Sequence, residues 1–181
     1  MSKRVSLSGE HQDLEQISKH YTDVTDSVRI YYQPGHSGYD KRFRGYSAEE
    51  MKQELNRRLR EIDRASALAV LSAVEAAFII DYLQRCHMRK KDDLSRRFRR
   101  IYKKKNKNKR ISLDEEILSA WKIEHSELLS LVGQLNGAFN YRHWLAHGRY
   151  WTPKFGGKYD FFSVYTLAEE VLDCFPFVGV N

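Results

Sequence analysis

The sequence predicts an all-α protein, a bundle of about four or five helices, and three stretches carry that prediction. Residues 47–89 contain neither Gly nor Pro. They place apolar side chains at Met51, Leu55, Leu59, Ile62, Ala65, Leu68, Leu71, Val74, Phe78 and Leu83, in steps of mostly three and four. A second helical run follows Ser112, with Leu113, Ile117, Trp121, Leu128, Val132 and Leu135 as its apolar face. A third, TLAEEVLDCF (166–175), is a final amphipathic helix.

Each start has a local cause. Ser47 and Glu50 form a capping box, in which the hydroxyl accepts from an orphan amide while the carboxylate reaches back. The periodicity after it fits one very long helix or two that break near 63–66, and the half from Ala65 to Ile80 is apolar almost all round, as a central core helix would be. Asp92 and Asp93 open a basic helix with acids at its positive end, and KKNKNKR after it reads as a polar loop. Ser112 and Glu115 make a second capping box. Gly133 and Gly137 mark close packing or a break ahead of Asn140, which is placed to cap a new helix running from Arg142 to Tyr150. KFGGKYDFF (154–162) reads as a short hairpin or loop. Residues 1–46 form an accessory arm, with a short helix at 13–20, strand-like composition in SVRIYY (27–32) and a Gly/Pro loop after it. Residues 47–181 form the helical domain.

A length of 181 residues suits one well-cored domain. Cys86 and Cys174 match no zinc or redox spacing and read as reduced thiols packed as small apolar groups. The first residues lack a signal-peptide core, and no window offers the ~18 uninterrupted apolar residues of a membrane span, so a cytoplasmic protein away from membranes is expected.

Charge is concentrated. The net charge is +7, yet residues 85–110 hold 14 of the 31 Lys and Arg against two acids, leaving 17 bases and 22 acids elsewhere. Such a block is either a footprint for a polyanion, above all nucleic acid, or a solvated surface helix. A DNA-binding reading calls for a helix-turn-helix, and no convincing turn is present.

NYRHWLAHGRYW (140–151) carries the chemistry. Arg142 and His147 stand five residues apart, with His143 beside them. On a continuous helix, five residues turn about 140° and rise roughly 7.5 Å, so two long side chains can still flank one phosphate. His143 and His147 also have a two-histidine metal spacing, but no Glu follows His143 and no third ligand is near in sequence. His87 and His125 have no distinguishing context and read as solvated. Trp144 and Trp151 read as core or interface aromatics.

Arg-x4-His late in an all-helical chain, preceded by a long apolar helix bearing a lone acid (Glu75 in LSAVEAAFIIDYL), resembles the HEPN superfamily, the higher eukaryotes and prokaryotes nucleotide-binding domain. The resemblance spans about residues 47–175. It implies a homodimer in which two motif helices form a composite cleft that cleaves RNA without metal or cofactor. His147 would be the general acid/base, and the ordinary imidazole pKa of about 6.5 suits it. Arg142 would hold the phosphate through its planar, always-charged fork. His143 would orient the substrate, with Asn140, Tyr150 and Glu75 supporting the site, although Glu75 reads equally as a buried acid paired with a base. Products would be a 2′,3′-cyclic phosphate and a 5′-hydroxyl. Arg149 stands where members paired with a nucleotidyltransferase antitoxin commonly carry Tyr, and it joins Arg96, Arg97, Arg100 and Lys103, which share a broad helix face, as RNA contacts. Toxin or phage-defence effectors of this type are restrained by an inhibitory or antitoxin partner. A non-catalytic HEPN module that binds a nucleotide or RNA is the alternative.

Overall fold

A computed structural model describes residues 8–104 and 111–180. Among these the chain is all-α, without a strand. Seven α-helices are present: α1 (Leu14–Tyr31), α2 (Tyr39–Arg42), α3 (Ala48–Met88), α4 (Asp93–Lys104), α5 (Ser119–Glu124), α6 (Leu129–Ala146) and α7 (Phe161–Cys174). The count exceeds the expected four or five because α1 and α2 lie in the region read as an irregular arm.

α3 is one helix of 41 residues, about 60 Å long by its rise. Its capping box is complete: Ser47 N–H donates to the Glu50 carboxylate (2.8 Å) and Glu50 N–H to the Ser47 hydroxyl (3.2 Å). The break considered at 63–66 is absent, and the fold accommodates the polar side chains there. Asp63 accepts from the Phe161 amide (3.1 Å), and Ser66 is buried. The Ala67–Ile80 half supplies the core, with Val70, Leu71, Val74 and Phe78 sealed from solvent. Each such side chain contributes roughly 1.5–3 kcal/mol relative to exposure. α3 also contains an 18-residue window apolar enough to cross a membrane by length and composition, and 56% of that window is buried inside the fold.

The strand-like reading of 27–32 is overturned, since those residues finish α1. Asp13 caps the helix by accepting from Gln16 N–H (2.7 Å). Leu14, Ile17, Tyr21, Thr25 and Val28 recur at three and four, a helical stripe that outweighs the β-favouring composition of a few residues. Leu14 and Ile17 enter the main core, and Tyr21 stacks on Phe161 of α7 with centroids 3.9 Å apart.

After α4, the loop expected at 104–110 falls almost wholly outside the described residues. Ser112 accepts from Glu115 N–H (3.2 Å), but the carboxylate that returns to Ser112 N–H is Glu116 (2.7 Å). The second capping box is therefore incomplete, and the chain begins with a π-helical turn, Leu113–Leu118. The run expected to be continuous breaks at His125 and a short 3₁₀ turn, Ser126–Leu128, before α6. α6 passes through Gly133 and Gly137 without breaking. A Cβ on Gly137 would collide with the Tyr159 hydroxyl, so this glycine marks close packing. Residues 154–159 are loop, and α7 starts at Phe161, ahead of the expected Thr166, because Asp160 caps it by accepting from Ser163 N–H (2.9 Å).

Two smaller readings change. Cys174 is exposed rather than packed, whereas Cys86 is half-buried with its thiol pushed up to about 11 by burial. His125 is not simply solvated: it bonds Glu127 (2.8 Å) and its ring lies 4.9 Å from that of Trp121.

Candidate functional site

The last turns of α6 are fixed from inside by aromatic packing. Tyr141 is buried and stacks with Tyr159 (5.3 Å) and Trp144 (6.0 Å), with Phe155 edge-on. The indole of Trp144 donates to the Trp151 carbonyl (2.9 Å), folding the following loop back on the helix.

Asn140 does not cap a new helix; it is an exposed mid-helix residue of α6. The helix ends at Ala146 in a Schellman motif. Arg149 N–H donates to Trp144 O (3.1 Å) and Gly148 N–H to Leu145 O (3.4 Å), with Gly148 left-handed at φ 79°. His147 is thus the C-cap. The sequence signal for this end was Gly148 itself, which sits where a helix-terminating glycine belongs. Arg149 is also left-handed, at φ 59°, a conformation costing a non-glycine residue about 1–2 kcal/mol. A long-range bond holds it there: one guanidinium nitrogen donates to both oxygens of Glu61 on α3 (2.9 and 2.8 Å).

Arg142 and His147 therefore occupy one helix end and face different ways. Arg142 turns toward α3 and forms an ion pair with Glu75; both side chains are about a third exposed, and Arg142 Nε is buried without a partner. His143 and His147 are exposed, with ring centroids 4.2 Å apart. Trp151 lies 5.9 Å from His143, and Tyr150 beside it is 84% exposed. Among the described residues no hydrogen bond or ion pair joins Arg142 to His147, and no group of three His, Cys, Asp or Glu side chains is placed to share a metal ion.

The residues expected to contact RNA separate into two groups. Arg96, Arg100 and Lys103 are exposed along α4, with Arg96 pairing with Asp93 (3.3 Å). Arg97 leaves that face, because it reaches across to Glu124 of α5. Arg149 is likewise committed, to Glu61. Glu61 is the site residue that sequence reading missed. Burial alone would raise its pKa, but the hydrogen bonds from Arg149 and Arg64 outweigh that and hold the carboxyl below its ordinary value. Only proximity in space connects Glu61 to Arg149, 88 residues on.

α3 serves as the common ruler. Glu61 and Glu75 are 14 residues apart, about 20 Å of helix, and they grip Arg149 and Arg142 respectively. α4 packs farther on, with Phe98 5.1 Å from Tyr82. The exposed imidazole pair thus projects over one half of α3, and the basic helix covers the other end. Comparison with known proteins finds no matching family model, no matching curated protein and no matching solved structure.

Proposed function

We propose that the protein is a cytoplasmic, homodimeric, metal-independent endoribonuclease of the HEPN type, a toxin or phage-defence effector. The observation that carries this reading is the Glu75–Arg142 pair. A carboxylate of the central helix holds a guanidinium at the end of α6, five residues before an exposed histidine.

In the reaction, the ribose 2′-hydroxyl attacks the adjacent phosphorus. His147 takes the hydroxyl proton, and charge grows on the non-bridging oxygens, where the Arg142 fork offsets it. The P–O5′ bond breaks, the leaving oxygen takes a proton from a histidine, and a 2′,3′-cyclic phosphate and a 5′-hydroxyl remain. DNA lacks the attacking group. Within one protomer Arg142 and His147 diverge, so the site requires two copies meeting through the α6 ends, which supplies both groups to one phosphate. An inhibitory partner would act by covering His143, His147 and Tyr150.

The Arg142–Glu75 pair also favours a second reading. A guanidinium already neutralised in the protomer suits a module that binds RNA or a nucleotide without cleaving it. Incubating purified protein with single-stranded RNA in excess EDTA separates the two. The nuclease yields cyclic-phosphate fragments that His147→Ala does not produce, while the module returns intact RNA. A fully active monomer by light scattering would overturn the composite site.

A further inference from the structure

A second concentration of chemistry lies outside the core. Tyr31, Tyr32, Tyr39, Phe43 and Tyr46 form a separate aromatic cluster where α1 ends, α2 follows and α3 begins, and none of the five belongs to the main core or packs against it. Phe43 is the hub, with ring centroids 5.9 Å from Tyr31, 5.0 Å from Tyr32, 5.1 Å from Tyr39 and 5.9 Å from Tyr46. Four of the five, Tyr31, Tyr32, Phe43 and Tyr46, line an open cleft with Val28, Arg42, Glu54 and Arg58. Tyr31 and Tyr46 keep 41% and 53% of their surface exposed, more ring than fastening a loop to a helix requires.

The segment that carries the cleft is also basic. The Arg42 guanidinium sits 4.0 Å from the centre of the Tyr31 ring, and its Nε is buried without a partner. Residues 41–60 carry seven Lys and Arg against three Glu. Glu54 binds both Arg57 and Arg58, whereas Lys41, Arg44 and Arg60 are exposed with no bonded acid among the described residues. Part-exposed aromatic rings, a stacked guanidinium and unneutralised bases on the flanking segment together select a ligand that is planar, aromatic and anionic.

Position links this cleft to the α6 end. Glu54, Arg58 and Glu61 are spaced at four and three, on one face of α3. Glu61 grips Arg149, two residues past His147, so the cleft lies about 5–10 Å along the helix from that anchor.

We infer that this cleft binds an unpaired base of single-stranded RNA by stacking on Tyr31 and Tyr46, with Arg42, Lys41 and Arg44 on the flanking phosphates. The inference rests on the reading of RNA as the substrate and adds the strand state of that RNA. Bases in a duplex are already stacked and cannot enter, so the protein selects unpaired segments.

The test is fluorescence anisotropy with a short labelled oligouridylate, using His147→Ala so that the RNA stays intact. Tyr31→Ala and Tyr46→Ala should each weaken binding by roughly 5- to 100-fold, the loss of one stacked base. The salt dependence should keep its slope, since no phosphate contact is lost. Tyr46→Phe should bind like its parent, and duplex RNA should bind weakly whether or not the rings are present. Both tyrosines are exposed, so circular dichroism should show helicity unchanged in each variant. Unchanged affinity in the double variant, equal affinity for duplex and single strand, or no RNA binding by the parent overturns the inference. Binding that depends on the rings, in a wild-type protein that cleaves nothing, upholds the cleft and removes the nuclease. Cleavage with an unchanged KM in the double variant does the reverse.

Discussion

Two arginine–carboxylate sites on α3 have the same chemistry and different surroundings. Near its C-terminal end, Arg85 is 7% exposed and each of its nitrogens has a partner. Nε donates to Asp81 (2.7 Å), one terminal nitrogen to Asp92 (3.2 Å) and the other to the Pro176 carbonyl (2.6 Å). Asp81 is fully buried and also accepts from the Val178 amide (2.8 Å), so the cluster clasps the C-terminal segment to the helix. Ten residues earlier, Glu75 meets an Arg142 that is a third exposed and retains an unused buried Nε. An arginine with every donor committed is a structural fastener. Arg142, paired with one carboxylate at an accessible helix end, keeps about a third of its side chain open to solvent.

Arg85→Ala should give the largest effect. It strands Asp81 as a buried, unpaired carboxyl, and loss of one member of a buried pair costs about 3–5 kcal/mol. Urea unfolding measures it, and the rate of RNA cleavage per folded molecule should not move. Arg142→Ala should invert that pattern. Stability should fall by less than about 1 kcal/mol, as for exposed pairs, while cleavage falls roughly 10²- to 10³-fold. Arg142→Lys can keep an ion pair with Glu75 yet should restore little activity, because a point charge lacks the bidentate fork. An Arg142→Ala protein as unstable as Arg85→Ala would erase the distinction.

The smallest effect concerns Glu61 and Arg149. The folded Glu61 carboxyl titrates below its unfolded value of about 4.3. Its contribution is therefore fully present above that pH and is lost as pH falls through the lower folded value. Comparing wild type with Glu61→Gln by urea unfolding, the difference should stay below about 1 kcal/mol at pH 7 and shrink as pH falls through the depressed folded value. A gap that widened on acidification would contradict the depressed carboxyl.

Much of this was legible before folding. Ser47 and Glu50 act within four residues, so their capping box reads directly from the chain, as do the periodic core of α3 and the acid at 75. The end of α6 did not. Asn140 has a good N-cap side chain, but the run of backbone hydrogen bonds across it leaves no orphan amide for it to satisfy. The real terminator was Gly148, and its effect depends on Arg149 finding Glu61. α1 was misread for a related reason: SVRIYY looks extended alone and is helical once Leu14 and Ile17 have a core to enter.

The unbroken length of α3 was settled by the fold, while the sequence by itself determined the helical class, the capped start and periodic core of α3, the basic helix and the company of Arg142, His143 and His147. Those properties follow from contacts between residues three or four apart, or from composition, and both are present in the linear chain. Tertiary structure alone decided that Arg142 turns to Glu75, that Arg149 and Arg97 are spent on Glu61 and Glu124, and that five aromatic rings gather outside the core. A charged or aromatic side chain takes its role from whichever groups packing brings within a few ångströms, and those groups lie tens of residues away along the chain.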